Sequence, residues 1–165
     1  ATVYVRWMEE RRNMHIVNVK EYPGGIEKAA AYIHDKWGSK ENYDFYHDAI
    51  VHSSEQGKTL PKFFLLLDGD AIAGCYGLVT NDFISRHDLY PWFACLYIEE
   101  GERGKELGKL LMEHAEGEAK KAGFPSLYLT TDHDGYYERY GWRRIEDGFE
   151  PSGKRTRIYE KKLQE

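Results

Sequence analysis

The chain has 165 residues, of which 41% are hydrophobic and 31% are charged, and its formal net charge is −5. This length suits one domain with a substantial core, and the composition is that of a globular chain, not a disordered one. The acidic balance, without a long basic patch, argues against nucleic acid as a ligand. No apolar stretch reaches the ~20 residues that span a membrane. We therefore expect a cytoplasmic protein, monomeric or homodimeric, with no membrane partner.

The first thirteen residues differ from the rest of the chain. They are rich in charge and lack the apolar core of a signal peptide. We interpret residues 1–13 as an N-terminal extension or a tag-derived segment, and residues 14–165 as a single domain. Cys75 and Cys95 both lie in apolar runs, which predicts two buried thiols and no disulfide. No spacing of Cys and His residues predicts a metal site.

Hydrophobic periodicity predicts eleven elements along the domain. In chain order they are a strand at 15–19, helices at 26–37 and 43–53, strands at 62–67, 71–79 and 92–98, a helix from about 104 to 122, a strand at 127–131, a short tyrosine-rich helix near 136–140, and strands at 142–145 and 155–160. Helices interleaved with a mostly antiparallel sheet predict a mixed α/β (α+β) domain. We expect a central sheet of six to seven strands flanked by helices.

Residues 96–112 form the most informative segment, because a strand there meets a glycine-containing loop that leads directly into a helix. The first N–H groups of a helix have no internal partners and lie at the positive end of the helix dipole. Gly104 and Gly108 leave room for a phosphate, and Arg103, Lys105 and Lys109 add positive charge. The segment therefore predicts a phosphate-bearing cofactor. The glycine spacing fits neither a P-loop nor a dinucleotide fingerprint.

This segment resembles the acetyl-CoA loop of the GNAT superfamily of N-acetyltransferases, [Q/R]-x-x-G-x-[G/A]. Arg103 matches the first position and Gly108 the last, whereas Glu106 stands where the family has glycine. The resemblance implies that acetyl-CoA is the acetyl donor. It also implies that the loop binds the pyrophosphate through residues Arg103, Gly104, Lys105, Glu106, Leu107, Gly108 and Lys109.

A second segment, from Tyr136 to Trp142, resembles another signature of the same family, [F/Y]-Y-E-[K/R]-x-G-[F/W]. In that family the tyrosine at the position of Tyr137 often protonates the departing thiolate. A phenol with an ordinary pKa near ~10 is protonated at neutral pH and can donate to sulfur. The alternative is that Tyr136, Tyr137 and Tyr140 only pack a short helix against the sheet.

The resemblance extends over nearly the whole domain, from about Met14 to Leu163. It implies direct attack of a primary amine, from a small molecule or a peptide, on the acetyl thioester. It also implies that backbone groups of Leu96, Tyr97 and Ile98 bind the pantetheine arm in the manner of an added strand. The alternative is a sensor or regulatory domain that binds acetyl-CoA and has little or no activity, for which Glu106 is the indication.

The base and the acceptor pocket are less defined by the sequence. Glu99 ends the central strand where several family members place a glutamate, so it is the first candidate for the base. Asp82, Asp132 and His133 are the alternatives. An acceptor pocket with ring faces for a cation is predicted from Phe83, Tyr90 and Trp92, with His133 nearby. The aromatic residues could equally pack a hairpin.

Overall fold

The computed structural model describes residues 13–163, which form one mixed sheet with helices on both faces. The predicted extension, residues 1–13, lies outside the described residues except for its last position. The strands are β1 (Met14–Asn18), β2 (Lys62–Asp68), β3 (Ala71–Val79), β4 (Trp92–Ile98), β5 (Ser126–Thr131), β6 (Arg143–Phe149) and β7 (Arg155–Lys162). The helices are α1 (Ile26–Trp37), α2 (Tyr43–Val51) and α3 (Leu107–Ala122), with short 3-10 turns at Val19–Glu21, Glu100–Glu102 and Tyr137–Tyr140.

The seven strands are ordered β1-β2-β3-β4-β5-β7-β6, and every neighbouring pair is antiparallel except β4 and β5. This arrangement confirms the predicted mixed α/β fold with a mostly antiparallel sheet. None of the helices formed by residues 13–163 is long and apolar enough to cross a membrane.

Strand β2 shows how the sheet separates two cores. Side chains of successive strand residues point to opposite faces, so Phe64 and Leu66 pack with Leu111 of α3. Leu65 faces the other way, in the cluster that contains Ile33 of α1. Because both faces are covered, β2 is a continuous apolar run and not an alternating one.

The central strand β4 is irregular at Cys95, which opens the middle of the sheet. Gly77 pairs with Ala94 while Cys75 pairs with Tyr97, so β4 carries one extra residue, a β-bulge. Cys95 has a φ of 57°, and its carbonyl accepts a hydrogen bond from the Cys75 thiol at 3.3 Å. On its other side β4 pairs with β5 at one position, Trp92 with Tyr128. Beyond that pair the two strands diverge and leave a gap.

Two predicted helices differ from the observed ones. The tyrosine-rich helix is a four-residue 3-10 turn, which ends at Gly141 with a φ of 89°. Helix α3 begins at Leu107 and not near Gly104, because Gly104 and Glu106 both have positive φ values that an α-helix does not allow. The loop between β4 and α3 is therefore longer than the sequence predicted. The free, unpaired state of both cysteines agrees with the sequence, although Cys95 is only half-buried.

Candidate active site

A small cavity of about 480 Å³ lies between the end of β4 and the start of α3. It is lined by all the residues predicted to bind the cofactor except Lys105, and by two tyrosines of the 3-10 turn: Leu96, Tyr97, Ile98, Arg103, Gly104, Glu106, Leu107, Gly108, Lys109, Tyr136 and Tyr140. The tertiary structure thus brings the two sequence signatures together around one cavity.

The start of α3 provides unpaired backbone donors to this cavity. No side chain of the described residues caps the helix, and the backbone N–H of Leu110 bonds to the carbonyl of Glu106 at 3.2 Å. The N–H groups before Leu110 precede this first helical bond, at the positive end of the helix dipole. A side chain on Gly108 would meet only open space, so an anion can approach the backbone there. These features suit an anion, as helix N-termini do in general.

Glu106, the departure from the family motif, adopts the left-handed conformation with φ 59° and ψ 30°. Glycine reaches this region at no steric cost, whereas an L-residue is strained there. The glycine of the motif is therefore explained by backbone conformation as well as by space for the ligand. Arg103 connects the loop to the end of β4. Its Nε donates to the Ile98 carbonyl at 2.9 Å, and its guanidinium lies 5.4 Å from the Tyr97 ring centre.

The basic side chains of the loop are used in different ways. Lys105 pairs with Glu102 at 2.8 Å. Lys109, by contrast, makes no hydrogen bond or ion pair with any residue from 13 to 163 and lines the small cavity. Lys109 is therefore a cation of the loop that is available to a bound anion.

A large cavity of about 910 Å³ adjoins the gap between β4 and β5. Strand residues Phe93, Ala94, Cys95 and Leu96 face Leu129 and Thr130 across it, and the ends of α1 and α2 and the loop after β3 complete its walls. Leu96 lines both cavities, so the two meet at the bulged part of β4.

Tyr137 lines the large cavity close to this junction. Its ring packs against Trp142 and Tyr159, with centroid distances of 6.2 and 5.9 Å. Burial raises the pKa of its phenol, with a smaller contribution from Tyr136, so it is protonated at neutral pH. The Tyr137 hydroxyl donates to no group within the described part of the chain. It is therefore available as a proton donor.

The sequence model of the acetyltransferase (GNAT) family matches residues 29–142, which is more than half of the chain. The chain belongs to the GNAT acetyltransferase family. It is accordingly an acyltransferase. No curated protein sequence matches the chain significantly.

Solved structures share the same fold at low sequence identity. An aminoglycoside 6'-N-acetyltransferase complexed with coenzyme A has a TM-score of 0.67 and 13% identity, covering 92% of this chain and 98% of that one. An acetyltransferase from Streptococcus agalactiae has a TM-score of 0.64 and 20% identity, covering 92% and 99%. A GNAT acetyltransferase from Elizabethkingia anophelis with acetyl-CoA bound has a TM-score of 0.59 and 17% identity, with the same coverage.

Within this GNAT fold, Asp82 is the carboxylate that enters the large cavity most deeply. Burial raises its pKa to about 7, and the charge of Glu150 adds to the shift. Burial raises the pKa of the Cys95 thiol, and the charge of Asp82 adds to that shift. Sequence reasoning gave Asp82 only as an alternative to Glu99.

Asn81 positions Asp82 in this loop. Its side-chain amide donates to the Ile84 carbonyl at 2.8 Å and accepts from the Ile84 N–H at 3.1 Å. This pair of bonds encloses a tight turn in which Phe83 has a φ of 54°. The turn places Asp82 and Phe83 on the wall of the large cavity.

Glu99, the first candidate for the base, lines neither cavity. It accepts a hydrogen bond from the Tyr32 hydroxyl and pairs with Lys36 at 3.3 Å, and both of these residues belong to α1. The hydrogen bond from Tyr32 and then the charge of Lys36 hold the pKa of Glu99 below its ordinary value. Its contacts connect the end of β4 to α1.

The other predicted acceptor residues are dispersed, and only Phe83 lines the large cavity. Trp92 is fully buried and donates from Nε1 to the Leu89 carbonyl at 2.7 Å. Tyr90 packs on Phe124, with ring centres 6.0 Å apart. His133 is exposed beside Tyr136, and Asp132 pairs with Lys154 at 3.1 Å.

Sequence reasoning missed the contribution of the first two helices to the large cavity. Trp37, Phe45 and Tyr46 line it, together with Asp48, Ala49 and His52. The sequence did contain one indication of this contribution, because Phe45 is an aromatic residue outside the apolar face of α2. In the structure its side chain is 56% exposed. An exposed aromatic residue on a short helix indicates a binding surface when others lie nearby.

Proposed function

We propose that this GNAT protein transfers an acetyl group from acetyl-CoA to a primary amine of a small molecule or peptide. The observation that carries the proposal is the junction of the two cavities at Leu96, beside an available tyrosine hydroxyl. One cavity suits an anionic, phosphate-bearing donor, and the other suits an acceptor. A site where both ends of a transfer reaction meet gives the proximity that such catalysis needs.

The small cavity fits the donor on three grounds. The uncapped start of α3 offers backbone N–H groups to a pyrophosphate, Gly108 leaves the approach open, and Lys109 supplies a positive charge. Within the described part of the chain, residues 96–98 of β4 have no strand partner on the side that faces β5, although Tyr97 and Ile98 pair with β3 on the other side. Leu96, Tyr97 and Ile98 are proposed to bind the pantetheine arm through these backbone groups.

When bound, acetyl-CoA supplies a thioester whose carbonyl carbon forms the new C–N bond while the C–S bond breaks. Tyr137 is proposed to give its hydroxyl proton to the departing sulfur and to recover one from solvent. A buried phenol with a raised pKa keeps its proton until negative charge develops beside it. The relatives bound to coenzyme A or acetyl-CoA share this fold and support the choice of donor.

The proton of the attacking amine needs an acceptor on the other side of the reacting centre. Asp82 fits this role better than Glu99, because it lies in the same cavity as Tyr137. A base with a pKa near the working pH is also the most effective, and Asp82 has a pKa of about 7. Glu99 is occupied by Tyr32 and Lys36 and faces α1.

The test uses the full chain in two measurements. Calorimetry with acetyl-CoA should show binding at micromolar to sub-millimolar concentrations, and thiol release should rise when a suitable amine is added. Absence of binding at millimolar acetyl-CoA would contradict the proposal. Binding without turnover on any amine would favour the alternative, a sensor domain, for which the carboxylate of Glu106 at the small cavity is the supporting observation.

A further inference from the structure

The walls of the large cavity define the kind of molecule that it can hold. Most of the lining side chains are hydrocarbon or aromatic: Trp37, Phe45, Tyr46, Ala49, Pro61, Phe63, Val79, Phe83, Phe93, Ala94, Leu96, Leu129 and Tyr137. Such walls stabilise apolar surface, and a polar group of a ligand that faces them has no hydrogen-bonding partner. The polar lining side chains, apart from the tyrosine hydroxyls, are Asp48, His52, Thr80, Asn81, Asp82 and Thr130. A strongly polar acceptor would lose its hydration there with little compensation.

The charges around the cavity are few and mainly negative. Among the described residues, Asp48 and Asp82 are its acidic lining residues, and no lysine or arginine lines it. Asp48 lies at the rim, since its side chain is 82% exposed and beside His52. Asp82 is half-buried and lines the cavity together with Cys95 of β4. The interior of the cavity therefore has a place for one cation.

The mouth of the cavity carries aromatic surface that is exposed to water. Trp37, Phe45 and Phe83 are 46%, 56% and 52% exposed, and we call them the mouth aromatics. Phe45 of α2 and Phe83 of the loop after β3 approach each other with ring centres 5.6 Å apart. Contiguous exposed aromatic surface beside a cavity is typical of a ligand-binding site.

We propose that the acceptor is a primary amine with a single positive charge and an apolar body, of which an arylalkylamine is the simplest case. Its ammonium group lies beside Asp82, and its body lies against the mouth aromatics. The inference rests on the proposed function and specifies its acceptor class. A polyamine or an aminoglycoside carries further ammonium groups that the apolar walls cannot pair, and buried unpaired charge is costly.

Acetyl transfer to matched acceptors tests the inference in the full chain. With saturating acetyl-CoA, kcat/KM for 2-phenylethylamine should exceed that for spermidine and for kanamycin by at least about tenfold, since one buried charge without a partner costs that much or more. Equal or faster turnover of spermidine or kanamycin would overturn the inference.

Two phenylalanines of similar exposure provide a matched pair of variants. Phe83→Ala should raise KM for 2-phenylethylamine at least about fivefold, because it removes one of the mouth aromatics. Phe149→Ala is the control, since Phe149 is 46% exposed on β6 and does not line the large cavity. Equal KM values for the two variants would contradict the role of the mouth aromatics.

A binding measurement separates this inference from the proposed function. If acetyl-CoA binds and no amine is acetylated, calorimetry with 2-phenylethylamine decides the inference alone. Binding that Asp82→Asn weakens, while the uncharged 2-phenylethanol binds both proteins equally, would support the acceptor site although the proposed function had failed. Absence of 2-phenylethylamine binding at millimolar concentration would overturn the inference.

Discussion

Glu99 and Asp82, the two carboxylates considered for the base, have opposite surroundings. Glu99 accepts from Tyr32 and pairs with Lys36, so its charged form is stabilised. Asp82 is surrounded by apolar walls and lies near the carboxylate of Glu150, so its charged form is destabilised. A carboxylate of the second kind is suited to accept a proton near neutral pH, whereas one of the first kind is suited to a structural ion pair.

We expect Asp82→Asn to remove a pH-dependent step. In the wild-type protein kcat/KM should rise about tenfold per pH unit below the Asp82 pKa of about 7 and level off above it, because only the carboxylate accepts a proton. The variant should be slower and lack this limb. Initial rates of thiol release between pH 5.5 and 8.5 measure both profiles. An unchanged limb in the variant would assign the titration to another group.

The same substitution should increase stability at neutral pH. The folded pKa of Asp82 is above its unfolded value, so the group's contribution to stability is complete below the unfolded pKa and is lost as pH rises through about 7. After allowance for partial exposure, we expect a gain of on the order of 1–2 kcal/mol at pH 7.5 in Asp82→Asn. The gain should shrink toward pH 4. Urea unfolding at both pH values measures it, and a gain independent of pH would refute the linkage.

Tyr137→Phe should lower kcat about 10²-fold, the scale of a general acid, with the dissociation constant for acetyl-CoA changed less than twofold. The substitution removes only a hydroxyl that donates to no described residue, so the fold should be kept. Tyr128→Phe is the matched control, because its hydroxyl bonds to Glu160 and it lines neither cavity. Equal turnover of the two variants would remove Tyr137 from the mechanism, provided that thiolate departure limits the rate.

The start of α3 has a strained residue, Glu106, at the proposed anion site. Glu106 has left-handed backbone dihedrals that cost roughly 1–2 kcal/mol in an L-residue. It also carries negative charge at the cavity proposed for the pyrophosphate. Strain and charge of this kind are tolerated where a loop serves a binding function.

We expect Glu106→Gly to stabilise the protein without any ligand, by about 1 kcal/mol, because glycine adopts these dihedrals without strain. The affinity for acetyl-CoA should also rise, since a negative charge is removed. Glu113→Gly in the middle of α3 is the opposite control, with an expected loss of about 1 kcal/mol. Thermal unfolding with and without acetyl-CoA separates the two effects. A loss of stability in Glu106→Gly would show that its side chain makes a compensating contact.

The gap between β4 and β5 divides the sheet of the domain, and a bound donor would bridge it. The sheet is continuous on both sides of this gap, through β3 and through β7. Occupation of the gap would join the two halves through strand-like hydrogen bonds. Ligand binding should therefore stabilise the domain as a unit.

Acetyl-CoA at about one hundred times its dissociation constant should add about 2.7 kcal/mol, which corresponds to a Tm increase of roughly 5–10 °C for a chain of this size. Hydrogen exchange should slow at residues 96–98 and at the start of α3 in the same experiment. If hydrogen exchange slowed equally in β1, which is distant from the gap, the effect would reflect stabilisation of the whole domain and not binding at the gap. Exchange unchanged at 96–98 would contradict the strand-like mode of binding.

Much of the fold could be predicted, because its signals are local. A short apolar run bounded by turn signals defines β2, and helical spacing defines α1 and α3, all within three residues of their observed ends. The sequence also predicted the loop from Arg103 to Lys109, since its chemistry comes from adjacent residues. The prediction failed locally at Glu106, where a positive φ ends the loop and delays the helix.

The order of the elements, the family resemblance and the proposed donor loop could all be predicted from the sequence, because each depends on residues that are neighbours along the chain. Folding alone brings together the side chains that line the large cavity, which is the proposed acceptor site. It placed Asp82 and Phe83 against the ends of α1 and α2 and moved Trp92 into the core. That selection depends on the bulge at Cys95 and on the packing of α1 and α2 against the sheet. Both are long-range outcomes of packing, which no local pattern contains.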